Sequence, residues 1–578
     1  MSNIDQATQT RVQQWLSAEY DEQTRAQVQK LIDLNEETEL IDSFYKELEF
    51  GTGGLRGIMG VGSNRINKFT IGKATQGLAN YLKKQFPETP LKVAVAYDSR
   101  NNSQSLGQLV ADVFSANGIF VYLFETLRPT PLLSFAVRHF GCQSGVMLTA
   151  SHNPKEYNGY KAYWNDGGQL VAPHDKNVID EVNAIQSVAS INFTRNPEFV
   201  EVVKADFDEL YIQANKALSF HPEVVKKQKD LKIVFSPIHG TGVTLLPKML
   251  EAWGFDNVYV VAEQAEPNGN FPTVVYPNPE EEEAMTLALK AGKERDADII
   301  LATDPDADRV GLAVKNNKGV FQLLNGNQIG SLLAYYVLSS KKEKGTLKAN
   351  QYIAKTIVTS NLISDIGSSF DIKTYETLTG FKFIGEVITK HQANEEYLVG
   401  GEESYGFLVG ELVRDKDAIN SAAFIAEMAA YFKEQGKSLF EVLLAIYQEY
   451  GFYQEKLISL TKKGKAGAEE IQEMMRNLRA NPPQQLGGVN VQEIRDYQTL
   501  ESHVLDTGIK APILLPQSDV LQFITVDGDV ISARPSGTEP KIKFYCSVKE
   551  PLSSAADYES VAQKLEEKVQ RIMADIVK

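Results

Sequence analysis

The sequence predicts a multidomain α/β protein that ends in an α+β domain, and three observations support this fold class. The chain has 578 residues, and a chain of that length divides into about three to five domains because a single core stops growing well below that size. Short apolar runs alternate with helical patterns over most of the sequence, which is typical of mainly parallel sheets. Near the end, Asp527-Gly528 separates two apolar runs, and this pattern predicts an antiparallel hairpin.

The pattern along the chain divides it into four expected domains. Their boundaries are 1–203, 204–322, 323–450 and 451–578. The first domain begins with a helical arm over residues 3–50, in which Val12, Trp15 and Leu16 fall on one face. We expect this arm to pack on the first domain.

Buried strands are expected to lead into polar loops in each of the first three domains. The strands are predicted at 93–97, 119–124, 145–148, 232–235, 258–261, 298–301, 352–358 and 397–399, with a helix over 105–116. Because ligands of open α/β sheets bind at the carboxyl ends of the strands, the loops that follow these strands form the candidate site.

Some polar stretches are interpreted as helix ends and connections. Four acidic residues at 280–283 follow Pro279 and predict the solvated first turn of a helix. Residues 462–467 and 481–488 are interpreted as linkers or loops. In the last domain, strands are predicted at 520–525, 530–533 and 541–548, and an amphipathic helix at 558–577.

Composition excludes several classes of protein. The formal net charge of −16 argues against nucleic acid or an anionic membrane as a partner. Cys142 and Cys546 are the two cysteines, too few for a disulfide framework, which favours a reducing, cytoplasmic setting. The N-terminus does not resemble a signal peptide, and no run approaches the roughly 18 apolar residues of a membrane span. A phosphorylated ligand would have to be met by local cations.

The loop after the strand at 145–148 carries a candidate nucleophile. Its sequence is Thr149-Ala-Ser-His-Asn-Pro154, and the strand delivers Ser151 to the tip. A serine hydroxyl needs a base or an activating charge to react. The alternative is that Ser151 only shapes the turn before Pro154.

The loop after the strand at 298–301 carries a candidate metal site. Asp304, Asp306 and Asp308 alternate, so their carboxylates can converge on one point. Hard oxygen ligands of this type suit Mg²⁺, which keeps positions open for a phosphate oxygen. Arg309 then lies beside the metal, where it can hold a phosphate. The alternative is a solvated acidic turn.

Two further loops are candidate binding sites for a sugar phosphate. Glu402 and Ser404 can exchange hydrogen bonds with sugar hydroxyls, although a plain turn is the better explanation of this segment taken alone. The second loop contains cations, hydroxyls and a glycine N–H that together can surround a phosphate. They belong to Arg534, Ser536, Gly537, Thr538 and Lys541. A decorated hairpin loop is the alternative for this second group.

Three cations, Arg56, Arg100 and Lys161, are expected close to Ser151. Arg56 follows a glycine-rich stretch, and Lys161 lies ten residues after Ser151 on what is expected to be the same loop segment. Lys161 can act as a general base if neighbouring cations lower its pKa. Together they would offset the acidic surface.

Taken together, the motifs resemble the α-D-phosphohexomutase superfamily from about Phe50 to the C-terminus. The four stretches TASHNP, DPDADR, GEES and RPSGTEPK occur in family order. The resemblance implies three α/β domains with mixed, mainly parallel sheets and a C-terminal α+β domain with an antiparallel sheet, around a central cleft. It also implies a phosphoserine at Ser151, whose oxygen completes a site for one Mg²⁺ per chain. A further sugar-contact loop falls on Thr379, Gly380 and Lys382.

The activity implied by the resemblance is phosphate transfer between the 1- and 6-positions of glucose through glucose 1,6-bisphosphate. Sugar phosphates would be the partners, and the chain a monomer or weak homodimer. Pro305 departs from the common family loop, and the GEES form followed by Tyr405 is similar to the long branch that includes phosphopentomutases. Pentose or mannose phosphates, or glucose 1,6-bisphosphate synthesis, remain alternatives.

Two other classes of function fit parts of the sequence. Residues 306–310 match the pattern of phosphatases with an aspartate nucleophile. That reading leaves Ser151 and the loop at 534–541 without a role. A non-catalytic sugar-phosphate sensor is the other alternative, but every nucleophile, metal and cation position of the motifs is filled.

Overall fold

The computed structural model describes residues 4–51, 53–462, 464–536 and 541–576. The chain divides into two compact units. The first unit comprises the chain up to Gly326 together with Phe381–Val399 and Ser404–Gly436, and the second comprises Asn327–Gly380, Gly400–Glu403 and Lys437–Lys578.

The N-terminal arm consists of helices α1 (Gln6–Trp15), α2 (Glu22–Asp33) and α3 (Glu37–Phe44). The side chain of Asp5 accepts a hydrogen bond from the backbone N–H of Thr8 at 3.0 Å and so caps α1. The indole of Trp15 packs edge-on against Phe44 and Phe69, with ring centroids 5.7 and 5.9 Å away. Because Phe69 belongs to the first α/β domain, the predicted packing of the arm on that domain is confirmed.

The first sheet follows the arm and has the strand order β1-β5-β4-β2-β3-β6. Strands β4, β2, β3 and β6 are parallel neighbours, and β5 and β1 join antiparallel at one edge. The elements are β1 (Gly54–Ile58), α4 (Lys68–Gln85), β2 (Lys92–Tyr97), α5 (Ser103–Ala116), β3 (Phe120–Phe124), α6 (Thr130–His139), β4 (Ser144–Leu148), β5 (Tyr157–Trp164), α7 (His174–Ala184) and β6 (Val200–Val203). Lys161 therefore lies on strand β5, and its expected position on the Ser151 loop was wrong.

The second sheet also lies in the first unit and has the order β11-β10-β9-β7-β8. Its elements are α8 (Phe207–Lys216), α9 (Pro222–Lys227), β7 (Ile233–Ser236), α10 (Gly242–Trp253), β8 (Val258–Val260), α11 (Ala262–Ala265), α12 (Glu282–Glu294), β9 (Ile299–Thr303), β10 (Val310–Lys315) and β11 (Phe321–Leu324). Strands β9 and β10 pair antiparallel, so the aspartate-rich segment between them is a tight connection. The solvated helical turn expected at 280–283 was wrong in part, because Glu280 precedes α12 and forms an ion pair with Arg309.

The third group of elements is divided between the two units. In chain order it comprises α13 (Gly326–Glu343), β12 (Gln351–Thr356), α14 (Leu362–Ser369), β13 (Lys373–Thr377), α15 (Phe381–His391), β14 (Glu396–Glu402), β15 (Gly406–Val409), α16 (Ala418–Glu434) and α17 (Leu439–Tyr450). Strands β12 and β13 pair in parallel within the second unit. Helices α15 and α16 belong to the first unit.

The C-terminal domain is built on an antiparallel sheet. Its elements are β16 (Phe452–Thr461), α18 (Gly464–Ala480), β17 (Gln485–Leu486), β18 (Val489–Asp496), β19 (Glu501–Val504), β20 (Lys510–Pro512), β21 (Leu521–Thr525), β22 (Val530–Pro535), β23 (Lys541–Glu550) and α19 (Tyr558–Ile576). The predicted hairpin joins β21 and β22, and Gly528 in its turn has a φ of +82°, which favours glycine. The linker expected at 462–467 was wrong, because α18 already begins at Gly464, and strand β16 was missed.

The predicted fold class is confirmed: three sets of α/β elements precede a C-terminal domain with an antiparallel sheet. The loops that carry the motifs follow β4, β9, β14 and β22. Each motif therefore lies at the carboxyl end of a strand, where open sheets present side chains to ligands.

The packing of the arm predicts a stability difference between two adjacent aromatic residues. Phe44 is fully buried, whereas Tyr45 is 49% exposed. Phe44→Ala removes a buried ring and leaves a cavity, so we expect it to lower the free energy of unfolding by about 3–5 kcal/mol. Tyr45→Ala, the matched control, should change it by no more than about 0.5 kcal/mol. Urea unfolding followed by circular dichroism measures both, and equal losses would contradict the assigned packing.

Candidate active site

Ser151 stands on a constrained loop at the end of β4. Its φ of +49° lies in the left-handed region that a serine rarely adopts. Its backbone N–H donates to the hydroxyl of Thr149 at 2.9 Å, and the side chain is nearly buried. The surrounding hydrogen bonds stabilise this strained backbone conformation, and the conformation fixes the direction of the Ser151 hydroxyl.

Arg100 donates hydrogen bonds to the backbone of the same loop. Its guanidinium donates to the backbone oxygens of Ser151 at 2.5 Å and Pro154 at 2.9 Å, and also to that of Asn153. Asp98 lies 3.5 Å from the guanidinium and balances its charge. Arg100 was expected to be a cation near Ser151, and it is close, but its donors serve the loop backbone.

The three aspartates between β9 and β10 converge as predicted. Oxygens of Asp304, Asp306 and Asp308 lie within 4.8 Å of one another, and all three side chains are fully buried. The loop folds back on itself, because Oδ1 of Asp304 accepts the backbone N–H groups of Asp308 and Arg309, each at 3.1 Å. The hydroxyl of Thr130 donates to Oδ2 of Asp306 at 2.8 Å.

The Ser151 loop and the aspartate loop meet within the first unit. The Ser151 hydroxyl donates to Oδ2 of Asp304 at 2.7 Å and lies 3.2 Å from Nδ1 of His152. The predicted nucleophile and the predicted metal ligands are therefore neighbours, although 153 residues separate Ser151 from Asp304.

Two lysines neutralise part of the carboxylate charge. The Nζ atom of Lys161 lies 2.7 Å from Asp306 and 2.8 Å from Asp308, and that of Lys416 lies 3.0 Å from Asp308. Burial alone would lower the pKa of Lys161, but Asp306 and Asp308 raise it overall. The lowered pKa that would suit a general base is not found in this arrangement.

The aspartates differ in the direction in which their surroundings shift the carboxyl pKa. Burial raises the pKa of Asp304 well above its usual range, and the adjacent Asp306 and Asp308 add to this effect. Burial would also raise the pKa of Asp308, but Lys161 and Lys416 outweigh it and lower that pKa. With all three carboxylates ionised, the cluster would carry one more negative charge than Lys161 and Lys416 balance.

The donor set fits a hard divalent cation. The Oδ1 atoms of Asp306 and Asp308 are buried and accept no hydrogen bond from any group in the described parts of the chain. Two such oxygens beside a third carboxylate match the ligands that Mg²⁺ prefers. The residues present therefore fit a metal site, as the sequence predicted.

The predicted arginines lie at the edges of this cluster. Arg56 is on β1, opposite Gly159 of β5, and its Nη1 donates to Oδ1 of Asn153 at 3.2 Å. Arg309 follows the last aspartate and pairs with Glu280 through its Nη1. Both positions leave a guanidinium beside the loop that carries Ser151.

The predicted sugar-binding residues are divided between the two units. In the second unit, Oε1 of Glu402 accepts the backbone N–H of Gly380 at 2.9 Å, and Thr379 precedes that glycine. In the first unit, Nζ of Lys382 lies 3.8 Å from Oδ2 of Asp175, and Ser404 is half-buried. The Gly380–Glu402 contact and the Lys382–Asp175 contact each lie within one unit.

The predicted phosphate loop is described in part. Arg534 lies on β22 opposite Lys543 of β23, and the backbone N–H of Ser536 donates to the carbonyl of Lys541 at 2.7 Å. Gly537 and Thr538 lie outside the described residues. The loop joins the paired strands β22 and β23 of the C-terminal domain, as the sequence predicted.

Sequence reasoning missed Lys416 and Thr130, which contact the aspartates directly. A signal for Lys416 was present, because the charged run 414–417 interrupts an otherwise apolar stretch and all four side chains are buried. Thr130 lies between two prolines at the start of α6, a pattern that indicates a helix start but no particular contact.

Comparison with models of protein families shows which family the chain belongs to. Four family models cover it in order, described as phosphoglucomutase/phosphomannomutase alpha/beta/alpha domains I, II and III and C-terminal domain, over residues 47–189, 209–319, 325–450 and 465–560. The chain belongs to the phosphoglucomutase/phosphomannomutase family. The family is one of phosphohexomutases, so the chain is an enzyme of that class.

Relatives of the family align with most of the chain. A phosphoglucomutase of Staphylococcus haemolyticus is 36% identical over 524 residues, which are 90% of this chain and 93% of that protein. A phosphoglucomutase of Staphylococcus aureus strain MRSA252 is 37% identical over 528 residues, 91% of this chain and 93% of that protein.

Solved structures share the fold of the family. The exocytosis-sensitive phosphoprotein parafusin of Paramecium, in its open form, aligns with a TM-score of 0.67 at 19% identity, over 91% of this chain and 96% of that one. A phosphoglucomutase/phosphomannomutase family protein of Burkholderia thailandensis aligns with a TM-score of 0.65 at 18% identity, over 92% of this chain and 98% of that one. Within the described residues, no helix has the length and apolarity needed to cross a membrane.

A buried carboxylate close to the active site links stability to pH. Asp417 caps α16 by accepting the backbone N–H of Asn420 at 2.9 Å, and it accepts the hydroxyl of Tyr211 at 2.6 Å. Burial raises the pKa of Asp417 to about 6. Because the folded state favours the protonated carboxyl group, Asp417 contributes to the free energy of unfolding. This contribution is complete below the pKa that the group has in the unfolded chain, and it is lost as pH rises through about 6.

We therefore predict a pH-dependent difference between the wild type and Asp417→Asn. The amide retains a cap for Asn420 but does not ionise, so the variant should gain stability relative to the wild type as pH rises. The gain between about pH 4.5 and about pH 7.5 should be about 2 kcal/mol. Urea unfolding across this range measures it, with the exposed Asp230→Asn as control. A difference that does not change with pH would contradict the assignment.

Proposed function

We propose that the protein interconverts glucose 1-phosphate and glucose 6-phosphate through a phosphoserine at Ser151. The observation that carries the proposal is the Ser151 hydroxyl 2.7 Å from Asp304, in a buried cluster with Asp306, Asp308 and Lys161. A serine with no function would not require three buried carboxylates and two lysines around it. The names of the relatives support glucose as the sugar.

In the proposed reaction, phosphoserine gives its phosphoryl group to the free hydroxyl of the substrate. The bond between phosphorus and the Ser151 oxygen breaks, the new bond to the sugar oxygen forms, and glucose 1,6-bisphosphate results. The proton of the sugar hydroxyl passes to a neighbouring base, and Ser151 regains a proton. Reversal with the other phosphate restores the phosphoserine and releases the isomeric product.

The proposed roles of the side chains follow from their positions. Arg56 and Arg309 hold the oxygens of the phosphoryl group, because a guanidinium binds phosphate through paired N–H groups. Lys161 moves the proton of the reacting hydroxyl after its contacts with Asp306 and Asp308 change. The bound Mg²⁺, held by Asp304, Asp306, Asp308 and a phosphoserine oxygen, would neutralise charge during the transfer.

The remaining predicted loops supply the proposed contacts to the rest of the substrate. Thr379, Gly380, Lys382, Glu402 and Ser404 would contact sugar hydroxyls. The non-reacting phosphate would be held by Arg534, Ser536, Gly537, Thr538 and Lys541. Because either phosphate of the bisphosphate can be the non-reacting one, a single anion site serves both substrates.

Other properties of the proposed enzyme are less closely tied to the site. Mannose and pentose phosphates remain alternative substrates on the same scaffold, as does glucose 1,6-bisphosphate synthesis. A cytoplasmic location is proposed, supported by Cys142 and Cys546, which are both free and buried. The expected monomer or weak homodimer stays a prediction.

The decisive test measures turnover and the phosphorylated residue together. Formation of glucose 6-phosphate from glucose 1-phosphate, followed with glucose-6-phosphate dehydrogenase, should occur with the wild type. Ser151→Ala should lower kcat at least about 10³-fold, because a nucleophile is lost. The exposed Ser105→Ala, the matched control, should retain activity. Phosphopeptide analysis should find acid-stable phosphate on Ser151.

Two outcomes would reject this mechanism. A phosphoenzyme that hydroxylamine cleaves would indicate an aspartyl phosphate and support a phosphatase. Absence of turnover with glucose, mannose and pentose 1-phosphates would support a sensor. Because the coupling enzyme detects glucose 6-phosphate alone, phosphorus NMR is used to compare the three sugar 1-phosphates and rank the substrates.

Removal of the metal should abolish turnover reversibly. Chelation leaves the buried carboxylates of Asp304, Asp306 and Asp308 without the divalent charge that the transfer requires. We expect activity to vanish with chelator and to return with Mg²⁺, and Asp306→Asn to need at least about tenfold more Mg²⁺ for half-maximal rate. The exposed Asp206→Asn is the control. Full activity of Asp306→Asn without metal would contradict the site.

A further inference from the structure

Strand β5 presents two polar side chains toward the aspartate loop. Lys161 and Tyr163 are separated by two positions, so they lie on the same face of the strand. Lys161 reaches Asp306 and Asp308 directly. The fully buried Tyr163 instead donates its hydroxyl to Oδ2 of Asp415 at 2.8 Å.

Asp415 connects Tyr163 to the second lysine of the cluster. Its Oδ2 also accepts the side-chain amide of Gln169 at 2.9 Å. Its Oδ1 accepts the backbone N–H of Lys416 at 2.9 Å and lies 3.2 Å from the Nζ of that lysine. The same Nζ lies 3.0 Å from Oδ2 of Asp308. A continuous chain of contacts therefore runs from β5 to the aspartate loop.

The path of the Lys416 side chain is restricted from another side. A Cβ atom at Gly406 would lie 2.4 Å from Cδ of Lys416, closer than real atoms approach. The glycine thus leaves room for the lysine stem against the backbone of β15. Lys416 is held at its stem by this contact and at its charged end by Asp415 and Asp308.

We propose that Tyr163 is a positioning residue: with Gln169 it orients Asp415, and Asp415 holds the Lys416 ammonium group beside Asp308. This inference deepens the proposed function, on which it rests. Tyr163 would then influence the charge distribution at the aspartate loop through Asp415 and Lys416, without contacting the loop itself.

The choice of tyrosine has a physical reason. Burial raises the pKa of Tyr163 well above its ordinary value, and Asp415 adds to this, so the hydroxyl remains a neutral donor. A donor of this kind fixes the carboxylate without adding charge. A charged donor in its place would compete with Lys416 for Asp415.

The position of Lys416 has opposite consequences for metal binding and for catalysis. Its ammonium group shares Asp308 with any cation at the cluster and repels that cation, so displacing it should tighten Mg²⁺ binding. The same ammonium group adds positive charge where phosphoryl transfer gathers negative charge, so displacing it should slow the reaction. A general loosening of the site would weaken Mg²⁺ binding instead.

The test compares Tyr163→Phe with Tyr211→Phe. Each variant removes one buried hydroxyl donor from an aspartate of the segment 415–417: Tyr211 donates to Asp417 at 2.6 Å, and Asp417 caps a helix rather than holding Lys416. Tyr211→Phe is therefore the matched control for the loss of a buried hydrogen bond. Lys416→Met is the positive control, because it removes the ammonium group itself.

Three measurements are made on the full-length variants. Melting temperature should fall by similar amounts in both tyrosine variants. Calorimetric titration with Mg²⁺ alone should give Tyr163→Phe a dissociation constant about threefold lower than the wild type, with no change for Tyr211→Phe. In the mutase assay kcat should fall about tenfold for Tyr163→Phe with KM little changed, and stay unchanged for Tyr211→Phe.

The outcomes separate this inference from the proposed function. Weaker Mg²⁺ binding by Tyr163→Phe, or equal losses of kcat in both tyrosine variants, would overturn the positioning role. If the wild type has no mutase activity, the proposed function fails, and the calorimetric comparison still decides the role of Tyr163. If Tyr163→Phe does not fold, Gln169→Leu removes the second side-chain donor to Oδ2 of Asp415 and should change Mg²⁺ binding in the same direction; no change would overturn the inference.

Discussion

The clustering of three buried carboxylates is the constraint on which the rest of the site depends. Asp304, Asp306 and Asp308 lie so close that their mutual repulsion and their burial both oppose ionisation, as the raised pKa of Asp304 shows. The fold offsets this cost with backbone N–H groups inside the loop and with the ammonium groups of Lys161 and Lys416. Such an arrangement persists because partners from separate segments surround it.

The need for these partners determines how the first unit is organised. Strand β4 ends at the Ser151 loop, β5 carries Lys161, and the turn from β9 to β10 carries the aspartates. The segment before α16 adds Lys416, which lies 108 residues beyond Asp308 in the sequence. The loop after β4 belongs to the first sheet and the loop after β9 to the second. The hydrogen bond between Ser151 and Asp304 therefore links the domains built on these two sheets.

Local patterns in the sequence were enough to predict the parts of the site that one segment contains. The aspartate loop, the Ser151 turn and the Asp527-Gly528 hairpin each follow from spacing and turn chemistry. The contacts of Lys161 and Lys416 were not predicted, because they join segments far apart in the sequence: Lys161 lies on β5, and Lys416 lies between β15 and α16. Strand β5 was taken for a loop for the same reason: its polar residues Asn158 and Lys161 are buried by partners that lie far away in the sequence.

Charge balance explains how an acidic protein can receive an anionic ligand at this point. The net charge of −16 makes the protein as a whole repel phosphate. Around the Ser151 loop and the aspartate cluster, however, lie the four cations Arg56, Arg309, Lys161 and Lys416. These cations offset part of the carboxylate charge, and Asp306 and Asp308 keep the two lysines in place. Removing the carboxylates would not create a better anion site, because the cations would lose the partners that hold them.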